Sequence, residues 1–334
     1  MSMQTKKAVL AQRPEGAPKV SDFKIMEAEL PPLEEGQVLI QIEHLSIDAF
    51  IRTTLDGPQG HHGTIDLGTP VTALGVGRVL DSRFEGLEQG DATFGPFGAQ
   101  THAVVPGNML RKLDESAVPA RAYLGALGMT TGLTAYAGMI CVGGVKAGDT
   151  VVVSAAAGAV GTVACQLGKI KGARVIGIAG GQEKCDFLIN EIGCDAAVDY
   201  KAGNVAKALA EAAPDGLDLF FDNVGGEILD AALDNMAKEA RVVICGAISQ
   251  YNDLQHVKGP SLYLRIPERN ARMLGFTVDH YASEFATMES DLAGWIADGQ
   301  INMPEQIVAG IDHFPDAIVM LMNGGNRGKL LVAP

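Results

Sequence analysis

The stretch from residue 150 to residue 171 constrains the fold of this chain more than any other. An apolar β-like run, Thr150–Ala155 (TVVVSA), leads through a glycine-containing turn into Ala159–Lys171, which has the pattern of a helix. The turn has the spacing Ala156-x-Gly158-x-x-Gly161, with alanine at the position of the first glycine of the dinucleotide-binding fingerprint. This order of strand, glycine turn and helix predicts a unit that holds a phosphate-containing ligand.

Each part of the turn has a physical role in that prediction. Gly158 would let the backbone approach a pyrophosphate, and Gly161 would let the helix pack closely against its strand. The helix N-terminus, with Ala159 and Val160, would supply N–H groups and the positive end of the helix dipole. An ordinary tight turn is the alternative. A second predicted strand, Arg174–Ala179, follows the helix at the spacing expected of a dinucleotide-binding unit, so we favour the cofactor interpretation.

The pattern of the chain changes near residue 120. Before it, short β-like runs are broken by Gly and Pro, as in Gln37–Ile47, Val71–Leu80 and Thr101–Val105, which predicts a small barrel-like β domain. After it, strands alternate with helices, which predicts a parallel sheet covered on both faces. The further predicted strands are Ala196–Asp199, Leu217–Asp222 and Arg241–Gly246, and the further helices are Gln182–Glu191, Asn204–Ala213 and Glu227–Ala240. Residues 301–334 again have a β-like sequence pattern, which is compatible with a return of the chain to the first domain.

Composition excludes several classes of protein. The net charge is −14 and no basic stripe is present, so neither nucleic acid nor an anionic membrane surface is expected as a partner. Two uncharged runs, Ala122–Val145 and Thr150–Gly168, are long enough for a membrane span, but their Gly and Ala content favours a buried core. The five cysteines form no C-x-x-C pair, and the first residues contain no apolar signal region. We therefore expect a cytoplasmic protein with reduced thiols.

The end of the second predicted strand distinguishes NADP from NAD. The sequence from Ile178 to Lys184 reads IAGGQEK, and no acid stands at the strand end to bind a ribose 2′-hydroxyl. Lys184 follows and is suited to pair with a 2′-phosphate, whereas the alternative is a solvated lysine beside Glu183. The pattern favours NADPH as the cofactor.

Further motifs resemble those of a known family. The chain resembles zinc-independent medium-chain dehydrogenases/reductases, and within them the branch of leukotriene B4 dehydrogenase, prostaglandin reductase and curcumin reductase. The matching stretches are Leu45–Arg52 (LSIDAFIR), Gly132–Tyr136 (GLTAY), Ala155–Gly161 (AAAGAVG), Phe221–Gly226 (FDNVGG), Cys245–Asn252 (CGAISQYN) and Gly325–Lys329 (GNRGK). FDNVGG and CGAISQYN together are specific, whereas the glycine turn alone is not.

The resemblance implies an α/β protein with two domains. Residues 1–124, completed by 305–334, would form a GroES-like β-barrel domain for catalysis and substrate, and residues 125–304 a Rossmann doubly wound domain that binds NADP. The activity implied is NADPH-dependent reduction of a carbon–carbon double bond beside a carbonyl, in a homodimer joined through the Rossmann sheets. The cofactor residues implied are Gly158, Ala159, Val160, Gly161, Lys184, Tyr200, Asn223, Cys245, Gly246, Ala247, Ile248, Ser249, Phe276, Thr277, Val278 and Asn326.

Three side chains have open alternatives. Tyr251, in the loop after a strand, is our candidate donor to the carbonyl oxygen of an enone, because hydride addition to the β-carbon moves negative charge onto that oxygen. The alternative is a loop tyrosine that packs against the cofactor. Asn223 could bind the nicotinamide ribose or cap the following helix. Arg52 could orient cofactor or substrate, or could be a surface arginine.

No metal site is expected. His61 and His62 are adjacent, with Asp66 and His102 further along the chain, but a catalytic zinc needs three protein ligands. Zinc-dependent relatives place a Cys where this chain has Ser46, and a Gly-His-Glu sequence where it has none. Cys165 and Cys245 lie in apolar surroundings and are expected to be buried and inert.

The leading functional hypothesis is therefore an NADPH-dependent reductase of α,β-unsaturated ketones and aldehydes. The alternatives are an NADPH-dependent quinone oxidoreductase and a non-enzymatic NADPH-binding protein, which need not retain Tyr251. Two places depart from the family pattern, Gly128–Gly132 (GMTTG) and Asp56–Leu67 (DGPQGHHGTIDL). Both would border the substrate, so the sequence leaves the substrate open.

Overall fold

The computed structural model describes residues 3–57 and 63–334. The chain forms two compact units: Met1–Leu124 with Glu305–Pro334, called here the β unit, and Gly125–Pro304, called the α/β unit. In the described residues the strands are β1 (Gln4–Leu10), β2 (Phe23–Glu29), β3 (Gln37–Ser46), β4 (Gly75–Ser82), β5 (Ala92–Gly95), β6 (His102–Pro106), β7 (Arg111–Lys112), β8 (Thr150–Val153), β9 (Arg174–Ala179), β10 (Ala196–Asp199), β11 (Leu217–Asp222), β12 (Met236–Ile244), β13 (Arg272–Gly275), β14 (Glu305–Ala309) and β15 (Lys329–Ala333).

The helices in the same residues are α1 (Phe50–Thr54), α2 (Thr134–Tyr136), α3 (Ala159–Ile170), α4 (Gln182–Phe187), α5 (Val205–Ala212), α6 (Gly226–Asp234), α7 (Arg265–Glu268), α8 (Phe285–Ala297) and α9 (Phe314–Met322). Wider π-helical turns lie on both sides of α2, at Met129–Leu133 and Ala137–Val142, and another, Leu188–Ile192, continues α4. None of the helices in the described residues is long and apolar enough to cross a membrane.

The β unit is built on a seven-stranded sheet with the order β14-β15-β3-β4-β5-β7, in which β6 also pairs with β3. Strands β14 and β15 are parallel, and the other pairs are antiparallel. The C-terminal strand joins this sheet because Leu331 and Val332 pair with Ser46 and Leu45 of β3. The apolar faces bury one continuous core that includes Ile40, Phe97 and Phe314, so the tail completes the first unit.

A buried charged cluster lies where β15 meets β3. Lys329 has no exposed surface, and its ammonium donates to the Asp48 carboxylate over 2.7 Å. The hydroxyl of Ser46 donates to the other oxygen of Asp48. The cluster satisfies a buried charge inside the β unit, where an unpaired ammonium would be costly.

The α/β unit contains a six-stranded, entirely parallel sheet with the order β10-β9-β8-β11-β12-β13. Counted within this unit the order is 3-2-1-4-5-6, the doubly wound order of the Rossmann fold. The central strands are wholly apolar, as in Val151–Val153 and Leu219–Phe221, because helices cover both faces. The predicted fold class, a GroES-like β domain with a Rossmann domain, is confirmed.

One predicted helix is wrong in part. Glu227–Ala240 was expected to be helical throughout, but α6 ends at Asp234 and the chain then enters β12 at Met236. The pairing of β11 with β12 shifts register between Leu217 and Leu219, and Glu239 has a positive φ of 65°. A bulge with this geometry lets MAKEA join the sheet although its residues favour a helix.

Candidate active site

The predicted cofactor residues of the α/β unit follow the carboxyl ends of neighbouring parallel strands. The glycine turn follows β8, and Lys184, Tyr200, Asn223, Cys245–Ser249 and Phe276–Val278 follow β9, β10, β11, β12 and β13 in turn. Carboxyl ends of parallel strands share one edge of the sheet, and ligands of such sheets bind outside that edge where the strand order reverses. That reversal lies between β8 and β11.

The glycine turn has the close packing that its sequence predicts. A β-carbon on Gly161 would lie 2.3 Å from the carbonyl oxygen of Ala155 and 2.7 Å from Cα of Ala156, so only glycine fits there. A β-carbon on Gly158 would be 3.2 Å from the same oxygen, which is tight but tolerable. Helix α3 begins at Ala159, and its first N–H groups lack partners within the helix. The turn therefore fits the pyrophosphate of a dinucleotide.

A hydrogen-bond network joins β8 and β11 where the strand order reverses. The Ser154 hydroxyl donates to Oδ1 of Asp222 over 2.9 Å and accepts the N–H of Asn223 over 2.8 Å. Asp222 also accepts the backbone N–H groups of Val224 and Gly225. Asp222 and Ser154 were not among the predicted site residues, although a polar pair directly after two apolar strands was a signal for them.

One of the two predicted roles of Asn223, that of capping the following helix, is wrong. Helix α6 begins at Gly226 with Gly225 as its N-cap, and no side chain bonds to the cap, so Asn223 does not cap the helix. Its amide group instead donates to the backbone oxygen of Ser154 over 2.7 Å. A role at the ribose stays a prediction.

The buried Asp222 carboxyl sets the electrostatics of this edge. Burial raises its pKa, and the hydrogen bonds from Val224, Gly225 and Ser154 oppose that shift. The same carboxyl and, above all, burial raise the pKa of the Cys245 thiol to about 12, so the thiol is protonated and inert at neutral pH. Cys165 is buried as predicted, whereas the residue Cys245 is only partly buried, although its thiol is desolvated enough for its pKa to rise.

The loop after β12 folds so that the Tyr251 hydroxyl lies against the backbone of Gly246 and Ala247 in the same loop. The tyrosine oxygen accepts the N–H of Ala247 over 3.3 Å, and a β-carbon on Gly246 would be 3.0 Å from that oxygen. The loop is tied to the turn after β11, because Ser249 donates through its hydroxyl to the oxygen of Val224 over 2.6 Å. Burial raises the pKa of Tyr251, the hydrogen bond from the Ala247 N–H opposes that shift, and Cys245 and Asp222 make smaller contributions in the upward direction. The phenol is therefore a neutral hydrogen-bond donor at neutral pH.

The ends of β9 and β10 carry Lys184, predicted for the 2′-phosphate, and Tyr200, which by the family resemblance would lie against the adenine-side ribose and its phosphate. Lys184 lies in the first turn of α4 and is partly buried, and Tyr200 is 40% exposed directly after β10. A β-carbon on Gly180 would lie 2.8 Å from the Tyr200 hydroxyl, so the ring rests against the β9 turn. Lys201, which the sequence interpretation missed, follows Tyr200 at the same edge.

The residues after β13, Phe276–Val278, were predicted to contact the cofactor. The ring of Phe276 lies against Gly138, where an added β-carbon would come within 2.7 Å of it, and makes an edge contact with Tyr281 at 6.4 Å between centroids. Thr277 is exposed and Val278 begins a short 3-10 turn. Contacts of these residues with a cofactor stay predictions.

Two predicted site residues belong to the β unit. Arg52 is 1% exposed, so the alternative of a surface arginine is wrong. Its guanidinium donates to Asp56 over 2.6 Å and to the backbone oxygen of Gly16 over 2.8 Å. Asn326 is also buried, and its amide donates to the oxygen of Gly328 over 3.1 Å. Both contacts support local structure, and roles toward a ligand stay predictions.

The metal prediction is tested only in part. Among residues 3–57 and 63–334, no group of three or more His, Cys, Asp or Glu side chains is placed to hold a metal ion. His61 and His62 lie outside the described residues. Ser46, which stands where zinc-dependent relatives have a zinc-binding cysteine, donates a hydrogen bond to Asp48.

The chain combines a doubly wound parallel sheet that carries a dinucleotide-type turn with a mostly antiparallel β unit, a combination typical of dinucleotide-dependent oxidoreductases. Residues 6–113 match a family model described as "N-terminal domain of oxidoreductase", and residues 159–293 match one described as "Zinc-binding dehydrogenase". The chain belongs to the zinc-independent branch of the medium-chain dehydrogenases/reductases.

Three similar proteins illustrate that membership. An NADPH-dependent curcumin reductase of Escherichia coli (strain K12) is 34% identical over 97% of this chain and 95% of its own length. Prostaglandin reductase 1 of Bos taurus is 38% identical over 95% of each chain. The crystal structure of CurA in complex with NADPH from Vibrio vulnificus is 35% identical, covers 98% of both chains and superposes with a TM-score of 0.92.

Proposed function

We propose that this protein reduces the carbon–carbon double bond of α,β-unsaturated ketones and aldehydes, with NADPH as the electron donor. The observation that carries the proposal is the Tyr251 hydroxyl, a neutral phenol at the sheet edge where ligands of this fold bind. The names of the relatives confirm NADPH as the predicted cofactor. They support double-bond reduction as the reaction and leave the substrate open.

NADPH, when bound, supplies a hydride to the β-carbon of the substrate. The work of the protein is then to hold both partners and to stabilise the charge that develops on the carbonyl oxygen. Tyr251 accepts the Ala247 N–H, which leaves its own proton available as a donor. We assign the hydrogen bond of that hydroxyl to the carbonyl oxygen, where it stabilises the enolate, and the α-carbon of the enolate then takes a proton from water to give the saturated ketone. The turn at Gly158–Gly161 would hold the pyrophosphate, with Lys184 and Tyr200 at the 2′-phosphate.

The test is NADPH oxidation with 3-nonen-2-one, with nonan-2-one as the saturated control and a benzoquinone as the competing acceptor. Turnover of the enone to the saturated ketone is expected. Turnover of the quinone alone would indicate a quinone oxidoreductase, and NADPH binding without any turnover would indicate a non-enzymatic protein. Formation of an allylic alcohol would show that the carbonyl, not the double bond, is reduced.

Tyr251→Phe separates the donor from a packing role. The variant keeps the ring and loses the proton, so turnover should fall about 100-fold or more, in line with the loss of one oxyanion donor. The dissociation constant for NADPH should stay within about twofold. Undiminished turnover would remove the assignment of Tyr251.

We also propose a homodimer joined through the α/β unit. Strand β13 is an edge strand of the described sheet, and the segment before it exposes Val257, Tyr263 and Leu264 at 53%, 58% and 59%. Exposed apolar side chains and a strand with one unpaired edge are both typical of an interface. Light scattering should give a molecular mass of twice that of the chain, and Tyr263→Asp should reduce that mass to that of a single chain. The cytoplasmic location stays a prediction.

A further inference from the structure

The turns after β9 and β10 are fixed to each other by one carboxylate. Oδ1 of Asp199 accepts the backbone N–H of Gly181 over 2.7 Å and that of Lys201 over 2.8 Å. The N–H of Tyr200 donates to the oxygen of Ala179 over 3.0 Å. Asp199 therefore joins the turn that precedes α4 to the turn that carries Lys201.

This connection places two cations and a phenol at one edge. The Tyr200 ring rests on Gly180, and Nζ of Lys201 is 5.9 Å from the centroid of that ring. Burial, and after it the positive charge of Lys201, lower the pKa of Lys184. The two ammonium groups are thus close enough to repel each other.

Repulsion between two cations is relieved when an anion binds between or beside them. The backbone N–H groups of Gly181 and Lys201 are the main causes that lower the pKa of Asp199, and the charge of Lys201 adds only a smaller contribution, so Asp199 compensates that charge in small part. Its Oδ1, however, accepts two backbone N–H groups, and Lys201 makes no ion pair within 4.0 Å in the described part of the chain. A dianionic phosphate with several acceptor oxygens matches this set of donors.

We propose that Lys201 is a second cation for the 2′-phosphate of NADPH, beside Lys184, and that Asp199 is the positioning residue that aligns them. Lys201 then helps to decide between NADPH and NADH, because NADH has a 2′-hydroxyl at that point. The proposal rests on the proposed function only in its choice of cofactor.

Lys201→Ala tests the cation. Dissociation constants for NADPH, NADH and 2′,5′-ADP are measured by fluorescence titration on the intact protein without substrate. NADPH and 2′,5′-ADP should bind about tenfold or more weakly, the loss expected for one charge-assisted hydrogen bond, and NADH should change less than about twofold. The matched control is Lys207→Ala, on α5 and 76% exposed, which should alter neither. Equal losses for NADPH and NADH, or no loss of NADPH affinity, would overturn the role of Lys201.

Asp199 is tested by a pair of variants. Asp199→Asn keeps an oxygen that can accept both N–H groups and removes a negative charge near Lys201, so NADPH affinity should be retained or increased. Asp199→Ala removes the acceptor, so the turns should separate and NADPH affinity should fall while NADH affinity changes less. If Asn and Ala weaken NADPH equally, Asp199 does not act by positioning.

The wild-type protein distinguishes the two possible failures. A wild-type preference for NADH would contradict the cofactor of the proposed function. A wild-type preference for NADPH that survives Lys201→Ala unchanged would contradict this inference alone.

Discussion

The Ser154 hydroxyl donates a 2.9 Å hydrogen bond to the buried carboxylate of Asp222 and so joins the two strands between which the sheet reverses its order. Ser154 follows β8, whose turn leads into the phosphate-binding helix. Asp222 ends β11 and accepts the N–H groups of the turn that leads to α6. Together with the two hydrogen bonds from Asn223 to Ser154, this contact links the turn predicted for the pyrophosphate to the turn that carries Asn223.

We predict that Ser154→Ala destabilises the protein by about 1–3 kcal/mol. It removes a donor to a buried carboxylate and the acceptor of the Asn223 N–H, and buried polar groups left without partners have that cost. Urea unfolding measures the change. The control is Ser283→Ala, whose hydroxyl is on an exposed part of the α/β unit and bonds only weakly to Glu284 at 3.4 Å. Equal unfolding midpoints for the two variants would contradict the prediction.

Two glycine variants should give different results. Gly161→Ala places a methyl group 2.3 Å from the Ala155 oxygen, so the turn must move, and both thermal stability and NADPH affinity should fall. Gly158→Ala places it at 3.2 Å, so stability should change little, while NADPH should bind more weakly because a side chain at this position would hinder the expected close approach of the pyrophosphate to the backbone. Thermal melts and NADPH titrations on both proteins check this. A stable Gly161→Ala protein would show that the turn is looser than described.

Much of the α/β unit could be predicted from local pattern. Strands β9, β10 and β11 begin and end where the apolar runs do, and α3 begins at the predicted Ala159. Local pattern was sufficient because buried parallel strands are apolar throughout and are bounded by glycine turns. It gave no strand order, since the order depends on which strands pair.

The error at Met236–Ala240 shows where local pattern fails. The residues MAKEA favour a helix, but pairing beside β11 and a bulge at Glu239 override that preference. The prediction of contacts in the candidate site from local sequence pattern has the same limit. The contact of Arg52 with the Gly16 oxygen, the hydrogen bond of Asn223 to the Ser154 oxygen, and the joining of Lys201 to Gly181 through Asp199 all depend on contacts between separate segments, which spacing does not reveal.

The pH dependence of turnover should identify the Tyr251 proton. The pKa of Tyr251 is raised above the ordinary value of 10.0, so the donor is retained at a pH where an exposed phenol would be half ionised. We predict that kcat with an enone stays level through about pH 10 and falls only above it. Tyr251→Phe should abolish that alkaline fall in the residual activity. A fall in kcat centred well below pH 10 that is the same in both proteins would assign it to another group.

NADPH affinity should have its own alkaline limit, set by Lys184. The lowered pKa of Lys184 means that its charge is lost at a lower pH than the ordinary 10.5, so the dissociation constant for NADPH should rise as pH rises through that lowered pKa. The constant for NADH should not follow. In Lys201→Ala one cause of the shift is absent, so the limit should move to higher pH, though not fully, because burial is the larger cause. An unmoved limit would show that the two lysines do not interact.

The buried pair of Lys329 and Asp48 should stabilise the β unit only as a pair. Lys329→Met leaves the Asp48 carboxylate without its cation in a buried place, so we predict a loss of about 3–5 kcal/mol in the free energy of unfolding. The double variant with Asp48→Asn removes both charges and should recover part of that loss. The control is Lys6→Met, whose partner Asp312 is half exposed and for which little change is expected. If the double variant is less stable than Lys329→Met, the ion pair is not what the lysine contributes, and packing of its stem along β15 is the stabilising element instead.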